Sequence, residues 1–384
     1  MPLEIGVNGR PSRRFSDDAV VILGRDRRCD VHLDDRDVSS RHALLVCEQG
    51  DWCVYDLKSR KGVELNGQAV RRGRLNGSGE LKIGPFAIAL RPVSDECVTD
   101  RLDATPADHV EDLSPSFRLG ELIHRGRSGD FYRGAWTSKR DRPIVVKFIA
   151  PRLASDEAAM YKFCRGVTAA GAIRHPHILR LYRAGKSGQS WYLIMEWMAQ
   201  GSLRDRIRRD APKPLPPVFV RRVGVEICRA LEAIGERGLV HRKITPASVL
   251  FDQNGSAKLG DFVLAREEMQ DAKYVLTMPG ESVGEIQYMA PEQAAGRSDV
   301  DARADVYGLG AVLYEALAAR PPRAGQELVL SLQGRPSRLR PLREVNPAVS
   351  VELEQTIQRA LAVAPEDRFP SASHFRKALE ASPI

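Results

Sequence analysis

The sequence predicts an all-β sandwich followed by a bilobal α+β domain, and three observations carry that expectation. Residues 1–91 hold short alternating apolar runs broken by Gly, Asn and Asp: "AVVILG", "HALLVCE", "DWCVYDL", "GVELNG" and "LKIGPFAIAL". Period-two alternation with frequent turn residues is the mark of half-buried strands. From 92 to 116 the chain becomes "PVSDECVTDRLDATPADHVEDLSPS", which is polar, acidic and punctuated by proline. That composition reads as a linker. Beyond 117, short strands ("FRLGELIH", "DFYRGAW", "PIVVKFI", "WYLIMEW") precede longer helix-period segments at 218–237 and 303–319. A strand-rich small lobe, 117–198, feeding a helical large lobe, 199–380, is the layout this order implies.

The bulk numbers narrow the functional classes. A chain of 384 residues with 43% hydrophobic and 28% charged content has enough apolar surface for two or three packed cores. Its net charge of +8 suits phosphorylated partners as well as nucleic acid. No tight Lys/Arg run is interleaved with aromatics, which argues against nucleic acid. Six cysteines lie scattered with no CxxC pair, and "MPLEIGVNGR" carries no secretory pattern. Both point to buried free thiols in a reduced, cytoplasmic compartment. The longest apolar stretch, "VYGLGAVLYEALAA" at 306–319, is too short for a bilayer and contains Glu315.

In the first domain, "GRDRRCDVHLDDRDVSSRHALLV" followed by "YDLKSRKGVELNG" resembles a forkhead-associated (FHA) domain, a β-sandwich that binds phosphothreonine peptides. The residues fit that chemistry. A phosphate of about −1.5 to −2 charges needs a fixed cation and neutral donors. Arg25 follows a strand and can offer a guanidinium fork. Ser39 and Ser40 stand in a second loop, and Arg60 and Lys61 in a third. The resemblance implies that Arg25 and Ser39 hold the phosphate and that His42 braces the loop. Where the family commonly shows Thr-Asn this sequence has Arg60-Lys61, so acidic or doubly phosphorylated ligands are the expected preference.

In the second domain, "ELIHRGRSGDFYRGAW", "PIVVKFI", "GDFVLA", "YMAPEQ" and "DARADVYGLGAVLYE" resemble a bacterial-type Ser/Thr protein kinase over about 117–380. The resemblance implies a nucleotide cleft built from Gly126, Gly129, Lys147, Glu196, Met198 and Asp261. Glycines are needed there because backbone amides must approach phosphates closely. His124 replaces the first glycine of that loop, and Phe131 replaces the usual valine. The glutamate that the family pairs with Lys147 falls at Gly166, so Asp261 is the expected substitute partner, with Glu157 a poorer alternative. Asp261 is also the family's metal ligand, and the glycine after its phenylalanine is Val263.

The catalytic loop "HRKITPASVLF" departs furthest. The family pattern puts its catalytic aspartate at Lys243, a lysine at Thr245 and a metal-binding asparagine at Ser248. Loss of a general base costs about 10²–10⁴ in rate. Lys243 cannot replace it, because phosphates and Asp261 favour the protonated ammonium. It can supply charge, worth roughly 4 kcal/mol for an ion pair about 4 Å apart at an effective dielectric of 20, before desolvation. Ser248 is a poor hard-cation ligand, so ATP would bind with weak or no need for magnesium. The architectural motifs remain: Glu292 of "APE" with Arg368, Asp305 and Arg242; Glu285 replaces the usual threonine before "YMAPE".

Three functions stand open at this level. The first is a signalling adaptor that reads a phosphothreonine-containing protein, itself a substrate or regulator of a Ser/Thr kinase, and docks partners on a pseudokinase that binds ATP. The second is a weakly active kinase with atypical catalysis. The third is a scaffold that binds no nucleotide.

Overall fold

The computed structural model describes residues 2–9, 12–15, 20–25, 29–48, 51–57, 59–93, 117–126, 129–150, 173–187, 190–261, 265–266, 286–295, 297, 299–323, 330 and 337–383. The chain forms two compact units.

The first unit is the expected sandwich. One sheet holds six strands in the order β2–β1–β11–β10–β7–β8: β1 (Leu3–Val7), β2 (Arg13–Phe15), β7 (Val63–Leu65), β8 (Gln68–Val70), β10 (Gly79–Ile83) and β11 (Phe86–Pro92). The other holds five, β4–β3–β5–β6–β9: β3 (Val20–Gly24), β4 (Val31–His32), β5 (Ala43–Glu48), β6 (Asp51–Asp56) and β9 (Arg72–Arg74). Inward-facing residues of both sheets share one core, including Ile5, Leu81, Ile83, Ile88 and Leu90 from the first and Val21, Leu23, Leu45, Trp52 and Val54 from the second. Every second residue of β10 points inward, as a pleated strand packed on one face requires. The β7–β8 hairpin turns on Asn66-Gly67, both at positive φ (51° and 79°). That is the geometry a two-residue primed turn demands, and it suits these two residue types.

The second unit begins with an antiparallel five-stranded sheet of order β12–β13–β14–β16–β15: β12 (Phe117–Gly126), β13 (Gly129–Trp136), β14 (Arg142–Ile149), β15 (Leu181–Ser187) and β16 (Ser190–Glu196). The helical lobe follows. Helix α1 (Leu203–Asp210) opens on a capping box, Ser202 with Asp205. Helix α2 (Pro217–Gly235) starts with proline at its first turn and buries Val220, Val223, Ile227, Leu231 and Ile234, a three-to-four-residue spacing along one face. Two short strands, β17 (Leu239–Val240) and β18 (Val249–Phe251), flank the loop that holds Lys243, and β19 (Ala257–Leu259) pairs with β18. After β20 (Ala265–Arg266) and the short α3 (Pro291–Ala294) comes α4 (Arg303–Ala318). Fourteen of the sixteen α4 residues are buried, so the apolar stretch at 306–319 is the lobe's central helix, surrounded by protein. Helices α5 (Val351–Ala360) and α6 (Ala372–Ala381) complete the lobe.

Among the described residues no helix is long and apolar enough to cross a membrane. Cys29, Cys53 and Cys228 are buried and Cys47 is half-buried; Cys97 and Cys164 lie outside the described residues.

Candidate functional sites

On the first unit three loops meet at one end of the sandwich. The Arg25 backbone N–H donates to the Ser39 carbonyl at 2.9 Å, which locks the loop after β3 to the loop before β5. The Arg60 N–H donates to Ser39 Oγ at 3.0 Å, which ties in the third loop. Because Ser39 Oγ accepts that bond, its own hydrogen stays available for an anion. The side chains of Arg25, Ser40, Arg60 and Lys61 are exposed around it.

His42 holds this arrangement from inside. It is fully buried; Ser39 N–H donates to its Nδ1 at 3.1 Å, so Nε2 carries the hydrogen and donates to the Gly62 carbonyl at 2.8 Å. One imidazole thus fixes both flanks of the loop pair, the bracing role expected of it. His42→Ala should leave two backbone groups without partners and cost about 1–3 kcal/mol; a urea titration of the full chain checks this.

On the second unit the cleft residues come from β12–β14, from β16 and the residues just after it, from the loop between β17 and β18, and from β19 and the residues just after it. Gly126 pairs with Gly129 at the tip of the β12–β13 hairpin. Gly129 has φ +138°, and a Cβ there would lie 1.7 Å from the Phe148 carbonyl oxygen, so only glycine fits. Phe131 pairs with Lys147 across β13 and β14, and its ring centroid lies 5.0 Å from Lys147 Nζ. The aromatic ring therefore caps the ammonium by a cation–π contact. Glu196 accepts from Lys258 Nζ with both carboxylate oxygens, at 2.8 and 2.9 Å, and Met198 beside it is buried. Lys258 was not singled out from sequence. A lysine in a strand whose other members, Ala257 and Leu259, are wholly buried was the available signal.

The centre of the cleft is an ion triad. Lys243 Nζ lies 2.9 Å from Asp261 Oδ2, and Lys147 Nζ lies 3.7 Å from Asp261 Oδ1. The two lysine side chains are 11% and 8% exposed, against 37% for the aspartate. Burial pushes the Asp261 carboxyl up, but Lys243 and then Lys147 outweigh it and hold it well below the usual carboxylate range. Asp261 also adopts φ +58°, a left-handed conformation that costs a non-glycine residue about 1–2 kcal/mol and that the two ion pairs help retain. Asp261 is thus the partner that Lys147 finds. Gly166, Glu157, Val263 and Glu285 lie outside the described residues.

The backbone around the triad is rigidly held. Ser248 Oγ accepts from Thr245 N–H at 2.9 Å and donates to the Thr245 carbonyl at 2.8 Å. Both residues are buried, and the Ser248 oxygen closes a turn on Thr245. His241 accepts from Lys243 N–H through Nδ1 at 3.3 Å and donates from Nε2 to the Gly260 carbonyl at 3.0 Å. Burial pulls its imidazole down to about 4, so it is neutral at pH 7. Asp305 accepts from the His241 and Arg242 N–H groups at 2.8 and 2.7 Å, and Gln293 donates to the Arg242 carbonyl at 3.0 Å. Burial pushes the Asp305 carboxyl up to about 6 in spite of those two bonds.

Farther down the lobe, Arg368 makes a two-pronged pair with Glu292 at 2.7 and 2.8 Å. This is the ion pair expected between "APE" and "PEDRFPSA".

Comparison with known proteins agrees with these geometries. The family model for protein tyrosine and serine/threonine kinases matches residues 117–379. The chain belongs to the protein kinase family. A model of the FHA domain matches residues 21–84. The chain is 33% identical over 269 residues to the serine/threonine-protein kinase PknB of Mycobacterium leprae, a match covering 69% of this chain and 42% of that protein. It is 31% identical over 274 residues to a probable serine/threonine-protein kinase of Streptomyces coelicolor, covering 70% of this chain and 40% of the relative. The chain therefore spans less than half the length of these curated relatives. Among solved structures, the Mycobacterium tuberculosis PknI kinase domain superposes with a TM-score of 0.55 at 25% identity, covering 70% of this chain and 97% of that one. This member of the protein kinase family thus carries an FHA domain ahead of its kinase fold and is related to bacterial Ser/Thr kinases. FHA domains bind phosphothreonine peptides, and the kinase family binds ATP.

Proposed function

We propose that the protein is a signalling adaptor in which residues 1–91 read phosphothreonine and residues 117–380, joined by the linker 92–116, form a pseudokinase that docks partners. The observation that carries this reading is the Lys243 ammonium, 2.9 Å from Asp261 Oδ2, at the position where the family keeps its proton acceptor. A buried ammonium paired with a carboxylate has no lone pair to offer a substrate hydroxyl, and its partner keeps it protonated. Gly166 removes the carboxylate that would free Asp261 from Lys147. By contrast, Asp305 and the Glu292–Arg368 pair keep the parts that shape the lobe. Lys147, the two hairpin glycines and the Glu196–Met198 segment support retention of ATP.

The phosphothreonine half rests on the convergence of Arg25, Ser39, Arg60 and Lys61 at one loop cluster. The partner in this reading is a phosphothreonine protein that is a substrate or regulator of a Ser/Thr kinase.

The test has two arms. Purified full chain incubated with labelled ATP and protein substrates should transfer no phosphate above background; transfer abolished by Lys147→Ala would make the protein an atypical kinase instead. Titration with phosphothreonine peptides should show binding that weakens at least about tenfold in Arg25→Ala, the loss of one charge-assisted contact. Equal binding by that variant would remove the reader.

A further inference from the structure

A kinase cleft of the usual kind holds magnesium between hard oxygen ligands and the nucleotide phosphates. The donor set of this chain does not fit that ion. Both oxygens of Asp261 face ammonium groups, Lys243 at 2.9 Å and Lys147 at 3.7 Å. The other ligand position is Ser248, whose buried oxygen is committed to the Thr245 amide and carbonyl. Among the described residues no group of three His, Cys, Asp or Glu side chains gathers to hold a metal. A dication at Asp261 would have to displace a nearly buried ammonium or sit against it, and in either case its binding to the carboxylate is opposed by like charge.

The same geometry suits a free polyphosphate. Two ammoniums and one carboxylate leave the triad one positive charge in excess without any metal. Lys147 is restrained by the Phe131 ring and Lys243 by Asp261, so both cations are positioned before a ligand arrives. Phosphate oxygens at this point would meet lysine point charges, which bind phosphate without a metal bridge.

We infer that this cleft takes a nucleoside polyphosphate as the free anion, with Lys243 standing where a divalent cation would otherwise sit. The inference rests on the reading of the cleft as a nucleotide site. Magnesium then competes instead of assisting, because it draws the free nucleotide into a less anionic complex that the ammonium-filled site holds more weakly.

Calorimetric titration of the full chain with ATP, in EDTA and then with excess magnesium chloride at matched ionic strength, tests it. Binding in EDTA that weakens several-fold with magnesium is the expected result. Lys243→Met should lose at least about tenfold in the EDTA arm, the loss of one phosphate cation, and Lys243→Asp should shift binding toward a requirement for magnesium. If these variants do not fold, the wild-type pair of titrations still decides. Binding by wild type only when magnesium is present overturns the inference and leaves the nucleotide site standing. No binding in either arm overturns both.

Discussion

Replacing Arg368 by alanine in the full chain is expected to cost about 3–5 kcal/mol of stability, which urea unfolding read on the kinase-lobe signal would measure. The guanidinium is fully buried and every one of its N–H groups has an acceptor: Nε donates to Ala362, Nη1 to Glu292 and Arg303, Nη2 to Glu292 and Val363. Its face lies 4.9 Å from the Tyr307 ring centroid. Truncation would leave the Glu292 carboxylate, itself 7% exposed, as a buried charge with no counter-ion. Three backbone carbonyls would lose a donor as well. Lysine should rescue little, since a point charge cannot reproduce a five-donor plane. A loss below about 1 kcal/mol would mean that water enters and solvates Glu292, and that the pair does not tie α3 to the rest of the lobe.

Asp305→Asn is expected to change how stability depends on pH more than its value at pH 7. Asp305 titrates near 6 in the folded state against 3.8 when free, so its contribution is fully present below 3.8 and lost as pH rises through about 6. His241 titrates near 4 against 6.5, so its contribution is present above 6.5 and lost as pH falls through about 4. The two slopes oppose each other between about pH 4 and 6 and largely cancel in the wild type. Removing the aspartate unmasks the histidine. The variant's stability, measured against wild type by urea titration at each pH, should fall on acidification with a slope approaching 1.4 kcal/mol per pH unit, about 3 kcal/mol over the window. A difference profile that is flat from pH 6.5 to 4 would show that burial does not raise the Asp305 carboxyl.

These two groups, with Arg368, are the side chains that hold the shape of the lobe around the cleft. Asp305 accepts from the backbone of the loop between β17 and β18, and Arg368 donates to the Glu292 side chain of α3 and to the Arg303 carbonyl at the start of α4. The shape and the chemistry of the cleft thus rest on different side chains, and substitution at Lys243, Thr245 and Ser248 leaves the scaffold bonds in place.

By itself the sequence determined the order of the two folds, because alternation and turn residues act locally. The runs "AVVILG", "DWCVYDL" and "PIVVKFI" became β3, β6 and β14, and the segments near 218–237 and 303–319 became α2 and α4. It also determined that the proton acceptor's position holds a lysine. It did not disclose β15, since "LYRAGKS" has no apolar alternation and forms a strand only by pairing with β16. The short β2, β4, β8 and β9 were equally silent, as three residues or fewer carry no period.

Only the tertiary structure decided how close together and how deeply buried the expected charges lie. Lys147 lies in β14, Lys243 in the loop after β17 and Asp261 just beyond β19, and the two distances to Asp261 follow from how these segments fold together. The same holds for Ser248, whose oxygen closes a turn on Thr245, and for Lys258 on Glu196. Electrostatic energy depends on separation and burial, and neither quantity is written in residue order.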